Sequence, residues 1–402
     1  MKKNNLLYFI ISSLIIFTVI YAKILYNIYL HPTEVIHSNG EVEILLFGDF
    51  KYLFKIINCH NLGFDVYSSN QCYSDYYGSF LYGPAILIFP SISHELSVIL
   101  TYLFSSVLIL SFVFLTIKII SPDNLFKYLL TSLILFNPTT LFLYEKLNID
   151  ILIYVFLIIV VYYSKNILIN FLLISWLTLI KFYPAIFIGI FIIEKKILKR
   201  NLIYFFSSLI LFFLFIYIFR NNLISVMSTL EYVSQSFRYS FSLNSLAKIS
   251  NYILNFDNLN TSKIILILIN FTLSFLLYSF FLSKKLHDIK INFNNNDKMF
   301  ILSSTLSISL YLIFRNNFYR EIYLIGTIPF ILNNHKFHFF RYMLYLFIIK
   351  YLFLIFFFPY YYNANLDENI LAQLLIGTKA LLDFIFISTL ITSLFLTIKI
   401  YL

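Results

Sequence analysis

Charge is scarce in this chain of 402 residues: only 12% of them are Asp, Glu, Lys or Arg, against about 25% in a soluble domain. Glycine and proline number eight each, too few for a collagen-like or low-complexity chain. Two cysteines cannot build a disulfide-framed secreted scaffold. The motifs of soluble enzymes are also missing. There is no P-loop, no Gly-x-Gly-x-x-Gly, no His-Glu-x-x-His, no serine-nucleophile elbow and no Cys/His cluster at metal-ligand spacing. Nothing therefore points to an ATP-driven machine, a dinucleotide enzyme or a resident metal, and no cofactor is expected. No repeat of fixed period is found.

Apolar length is abundant. Hydrophobic residues make up 60% of the chain and mean hydropathy is +0.84. Apolar runs of roughly 15–25 residues recur from end to end, each able to cross about 30 Å of hydrocarbon. The expected fold is all-α: one polytopic membrane domain over 1–402, with about 12 transmembrane or re-entrant helices. The opening "MKKNN" followed by an apolar Leu6–Ile28 reads as a retained signal anchor, because the run outlasts a signal-peptide core and no small-x-small cleavage site follows it.

The net charge of +10 does not signify nucleic acid. If Lys2 and Lys3 are cytoplasmic and spans alternate, "EKKILKR" (194–200), "SKKLHDIK" and "HKFHFFR" (335–341) all fall in short inside loops. That is the positive-inside pattern of a plasma-membrane protein with both ends in the cytoplasm, prokaryotic by expectation. Two outside loops are then long, at about 30–92 and about 220–262. Cys59 and Cys72 both lie in the first, as a disulfide or as two thiols.

Inside that first loop, "LLFGDFKYLF" places Asp49 in a greasy stretch. Leu46, Phe50, Leu53, Phe54 and Ile57 recur at helical spacing, and Gly48, Lys51, Tyr52 and Lys55 take the other side. The spacing predicts an amphipathic helix over 44–57 lying in the membrane interface, with Asp49 at its flank. Further polar features are expected on the same side. Tyr82 lies in "SFLYGPAILIFP". Glu145, Asn148 and Asp150 lie in "NPTTLFLYEKLNID". Lys181 and Tyr183 lie in "LIKFYP", Asn244 and Ser245 in "FSLNSLAKI", and Arg315, Arg320 and Glu321 in "FRNNFYREIYLIGTIP". One such group alone commonly just anchors a helix end, but several ionisable groups converging on one side point to a site. Lys350 and the Lys379–Asp383 pair read as packing or snorkelling residues.

The order of these motifs resembles the GT-C membrane glycosyltransferases, glycosyltransferase family 87 in particular, and the related polyprenyl-phosphate-mannose-dependent mannosyltransferases. The likeness runs over roughly 40–330. It rests on a first-loop Asp, Gly63 to Tyr67, Phe80–Tyr82–Pro84, the Asn-Pro break with its Asp-bearing turn, Lys181–Tyr183–Pro184, Asn244 to Leu246, and a late loop with Tyr319 and Tyr323. The resemblance implies an inverting transfer of one mannose-like sugar at the outer face. The donor would be a polyprenyl-phosphate sugar, and the acceptor a lipid-linked glycan or other envelope acceptor, glycan or glycolipid. Asp49 would be the base, and Lys51, Lys181, Arg220, Arg315 and Arg320 would face the lipid phosphate. Tyr82, Asn148, Asp150, Tyr183, Asn244, Ser245 and Glu321 would bind substrate. Where family members often carry His in the late loop, Arg320 and Glu321 stand, and the acid pair of many GT-C enzymes is here a single Asp. Two rivals are a polysaccharide repeat-unit polymerase and a lipid-linked sugar flippase; the first calls for a dominant late loop and the second for pseudo-symmetric halves.

Overall fold

The computed structural model describes residues 3–30, 47–67, 82–193, 199–224, 241–243, 246–248, 259–282, 294–313, 318–363 and 370–401. Every regular element among them is helical. Six helices are long and apolar enough to cross a membrane, or seven if the bent pair Leu125–Phe136 and Pro138–Lys146 counts as one span. The chain is a polytopic integral membrane protein. Beside these the described residues include the shorter apolar helices Asp150–Tyr163, Ile167–Ile180 and Ile322–Asn333 and a 3-10 segment at Tyr183–Phe191; the finer expectation of about 12 transmembrane or re-entrant helices is not shown by these elements. The chain forms two compact units, one of Met1–Phe136, Thr140–Ala185 and Phe206–Val233, the other of Asn137–Thr139, Ile186–Phe205 and Ser234–Leu402.

The first unit contains α1 (Lys3–Leu30), α2 (Gly48–Asn61), α3 (His94–Ile120), α4 (Leu125–Phe136), α5 (Pro138–Lys146), α6 (Asp150–Ile158) and α7 (Ile167–Ile180). At the start of α3, the Ser93 hydroxyl accepts from the Leu96 amide at 3.3 Å. Glu95 in the first turn and Lys118 in the last complement the helix dipole. Leu96, Ile99, Leu103 and Val107 form an exposed apolar stripe, while Phe112 and Val113 are fully buried, as suits a helix with one side to lipid and one to protein. α6 is apolar all round and enclosed.

α2 begins at Gly48, later than the periodicity suggests, and its inward face differs from the expected one. Gly48 and Tyr52, placed on the polar side by the spacing, are buried with Leu53, Ile56 and Ile57, while Phe50 and Phe54 are half-buried. The reason is tertiary. Phe50 meets Phe104 of α3 at 6.2 Å, whereas Asn58 pairs with both backbone groups of Ile92, at 2.8 and 2.9 Å. α2 therefore runs antiparallel along α3 and has protein neighbours that an isolated interfacial helix lacks. Cys59, near its end, is disulfide-bonded; Cys72 lies outside the described residues.

The second unit contains α9 (Leu259–Leu282), α10 (Asn295–Ile313), α11 (Ile322–Asn333), α12 (His338–Asn363) and α13 (Ile370–Tyr401). α8 (Lys199–Ile218) is shared between the two residue sets. α13 is the hub of this unit, packing on α9, α10 and α12. Small polar residues form its seam with α9: Ser274 donates to the Ser388 carbonyl at 3.1 Å, and Thr392 donates to that of Ser274 at 3.0 Å. Close approach through Ser and Thr is how helices associate where lipid supplies no hydrophobic drive.

Candidate functional site

Three chain segments of the first unit converge on Asp49. The first is α2 itself. Its leading residue Phe47 adopts a left-handed conformation (φ 58°) and donates its amide to the Glu145 carbonyl at 2.7 Å, which ties the start of α2 to the end of α5. The second is the α5–α6 turn, where Leu147 is also left-handed (φ 46°). That reversal delivers Asn148 and Asp150 into the unit, 3% and 0% exposed. The third is the break after α7, which carries Lys181 and Tyr183.

The break is held by Gly83. Its amide donates to the Ile180 carbonyl at 2.7 Å, and a β-carbon there would come within 1.9 Å of the Leu179 carbonyl oxygen. Only glycine lets the 82–84 segment approach so closely, and that approach sets Tyr82 over Lys181 (Nζ 5.0 Å from the ring centroid). Gly83→Ala is expected to force the two segments apart at a cost of about 1–3 kcal/mol. The check is thermal unfolding in detergent; a melting point equal to the parent's would contradict the packing.

The polar contacts form a chain. Asn148 Nδ2 donates to Asp49 Oδ2 at 2.6 Å and to the Tyr82 hydroxyl at 3.3 Å. Its Oδ1 accepts from Lys181 Nζ at 2.9 Å and from the Asp150 amide at 3.1 Å. Two donors on the oxygen leave the amide nitrogen to face Asp49. Lys181 also pairs with Asp150 at 3.0 Å and lies 5.6 Å from the Tyr183 ring. Its charge is thus balanced inside the cluster. Asp49 is half-buried. Burial raises its carboxyl above the usual carboxylate range. The Asn148 bond and the charges of Lys146 and Lys181 oppose that shift, and Asp150 adds to it.

Six residues singled out in the sequence, Asp49, Tyr82, Asn148, Asp150, Lys181 and Tyr183, therefore meet in one cluster. Lys51 is half-buried with its Nζ 5.9 Å from the Tyr102 ring, and Arg220 lies 5.8 Å from that of Tyr217. Sequence reasoning missed Lys146, whose charge acts on Asp49; its position two residues before Asn148 was the available signal. Arg320 and Glu321 belong to the second unit. There Glu321 is fully buried and paired with Lys350 and Lys379. Asn244, Ser245 and Arg315 lie outside the described residues. Among the described residues, no three His, Cys, Asp or Glu side chains group as a metal site. Comparison of the chain with family models, curated proteins and solved structures finds no match.

Chemically, the cluster offers one carboxylate of raised proton affinity. It is oriented by an amide whose own orientation is set by a buried ion pair, and the charge of Lys146 acts on it as well. Such a group can take a proton from a hydroxyl that is attacking an electrophile.

Proposed function

We propose that the protein is a membrane glycosyltransferase of GT-C type. It would move one hexose, mannose-like, from a polyprenyl-phosphate donor to a lipid-linked glycan or other glycolipid at the outer face, with inversion and with Asp49 as general base. The observation that carries this reading is the Asp49 carboxylate itself, held through Oδ2 by Asn148 at 2.6 Å and made more basic by its surroundings. In the reaction, Asp49 would accept the proton of the acceptor hydroxyl as that oxygen attacks the anomeric carbon. The bond from that carbon to the lipid-phosphate oxygen breaks, and the lipid phosphate leaves. Lys146 and Lys51 are the cations proposed to stabilise its charge. Lys181, Asp150 and Asn148 orient the base, and Tyr82 closes the wall beside it.

Depth supports a lipid donor. α3 has 27 residues, so it spans about 40 Å, more than the roughly 30 Å of hydrocarbon. The Phe50–Phe104 contact sets the Asp49 end of α2 about 15 Å along α3 from its first turn. That depth favours a donor carried in the bilayer over one confined to water. The test is sugar transfer by membranes containing the protein, from radiolabelled polyprenyl-phosphate sugars and, separately, from nucleotide sugars. Transfer from the lipid-phosphate donors is expected. Transfer from nucleotide sugars alone, or from neither, would overturn the reading.

A further inference from the structure

A second feature of the first unit lies at the far end of α2. There a pocket of about 460 Å³ opens between the 60–67 turn, the 84–88 segment and the stretch after α8. Gly63 permits the turn, with φ at +90°. The wall carries three kinds of polar group, the His60 imidazole, the Asp65 carboxylate and the Asn222 carboxamide, beside the rings of Phe64, Tyr67 and Phe219. We infer that this pocket binds a neutral oligosaccharide, the part of the acceptor remote from the reacting hydroxyl; this rests on the transferase reading above.

Three observations carry the inference. First, the lining suits a polyol and not an anion. A carboxylate, an amide and an imidazole together supply acceptors and donors for neighbouring hydroxyls, and the rings can cover the C–H face of a sugar. Among the described residues the lining includes no Lys or Arg.

Second, the pocket is wired to the Asp49 cluster. Asp65 Oδ1 accepts from the Tyr67 amide at 3.0 Å, and the Tyr67 hydroxyl donates to the Tyr82 carbonyl at 3.1 Å. The Tyr82 hydroxyl in turn faces Asn148, which holds Asp49. His60 lies eleven residues after Asp49 on α2, about 17 Å along the helix. The pocket is thus too far to hold the reacting sugar and well placed for sugars farther along one chain.

Third, its rim is apolar and rigidly mounted. Leu62, Ile88 and Phe89 are 75%, 82% and 50% exposed. Asn58 holds Ile92 and Asn61 donates to the Phe89 carbonyl at 3.1 Å, so the ridge is fixed against α2. An exposed apolar ridge beside a polar pocket suits a surface bedded among lipid headgroups. A glycan carried on a lipid would present its sugars there.

The experiment uses the full chain in lipid nanodiscs, titrated with maltotriose and with linear mannotriose and followed by saturation-transfer NMR. At least one trisaccharide should bind in the millimolar range. Binding should weaken at least fivefold in Asp65→Asn/Asn222→Ala and stay unchanged in Asp49→Asn. Phosphocholine should not compete. Failure of both trisaccharides to bind, binding indifferent to the double substitution, or displacement by phosphocholine would overturn the inference. No turnover is involved, so the two readings fail separately. Trisaccharide binding without any transfer leaves the pocket standing and removes the transferase, whereas Asp49-dependent transfer without trisaccharide binding does the reverse.

Discussion

Membranes carrying Asp49→Asn should transfer sugar about 10²–10⁴-fold more slowly than the parent at equal protein level, the usual contribution of a positioned general base. Asparagine keeps the size of the side chain and can still meet Asn148, so loss of activity with an unchanged melting point isolates the proton-accepting role. The pH profile is the sharper readout. A base must be ionised to act, so in the proposed role of Asp49 activity should fall as pH drops through its folded pKa. Burial raises that pKa, which places the acid limb above the value near 3.9 of an ordinary aspartate. Asn148 and Lys181 both oppose the rise. Asn148→Ala and Lys181→Met should therefore move the limb to still higher pH. A merely structural role for Asn148 would lower activity at every pH and leave the limb where it was. Full activity in a well-expressed Asp49→Asn protein would end the assignment.

How much of this was legible in the sequence depends on the range of each signal. The membrane class follows from composition, and each member of the Asp49 cluster stands in a short polar break of an apolar chain, which marked it. Their mutual bonds were not readable, because Asn148 and Asp49 are 99 residues apart and periodicity reports only a residue's own helix. The same limit explains α2. Its apolar stripe was visible, but the burial of Tyr52 and Gly48 comes from neighbours that local spacing does not encode. Helix count was less legible, because an apolar run reads alike whether it crosses in one helix or breaks into shorter pieces, as at the 3-10 segment Tyr183–Phe191. Glu321 was read as one of a set of late-loop polar residues; its partners stand 29 and 58 positions on.

Those partners set the second large effect. Glu321 is bonded to Lys350 and lies 3.2 Å from Lys379. Asp383 completes the ring, 3.0 Å from Lys350 and 2.8 Å from Lys379. All four are at most 3% exposed, and the two cations and two anions cancel. Phe241 caps Lys350 at 5.0 Å. The ring joins the turn before α11 to α12 and α13. Taking one member away strands a charge in an apolar interior, which costs about 3–5 kcal/mol. Glu321→Gln, leaving two lysines on one aspartate, should therefore lose most of its folded protein in a detergent melting assay, as should Lys350→Met. Together they restore neutrality around the surviving Lys379–Asp383 pair. The double variant should consequently be less destabilised than the sum of the two, by about 0.5–3 kcal/mol of coupling. The cycle also separates two roles for Glu321. If it serves the ring, activity returns with stability in the neutral double variant. If it binds substrate as the family resemblance implies, activity stays low although the protein folds.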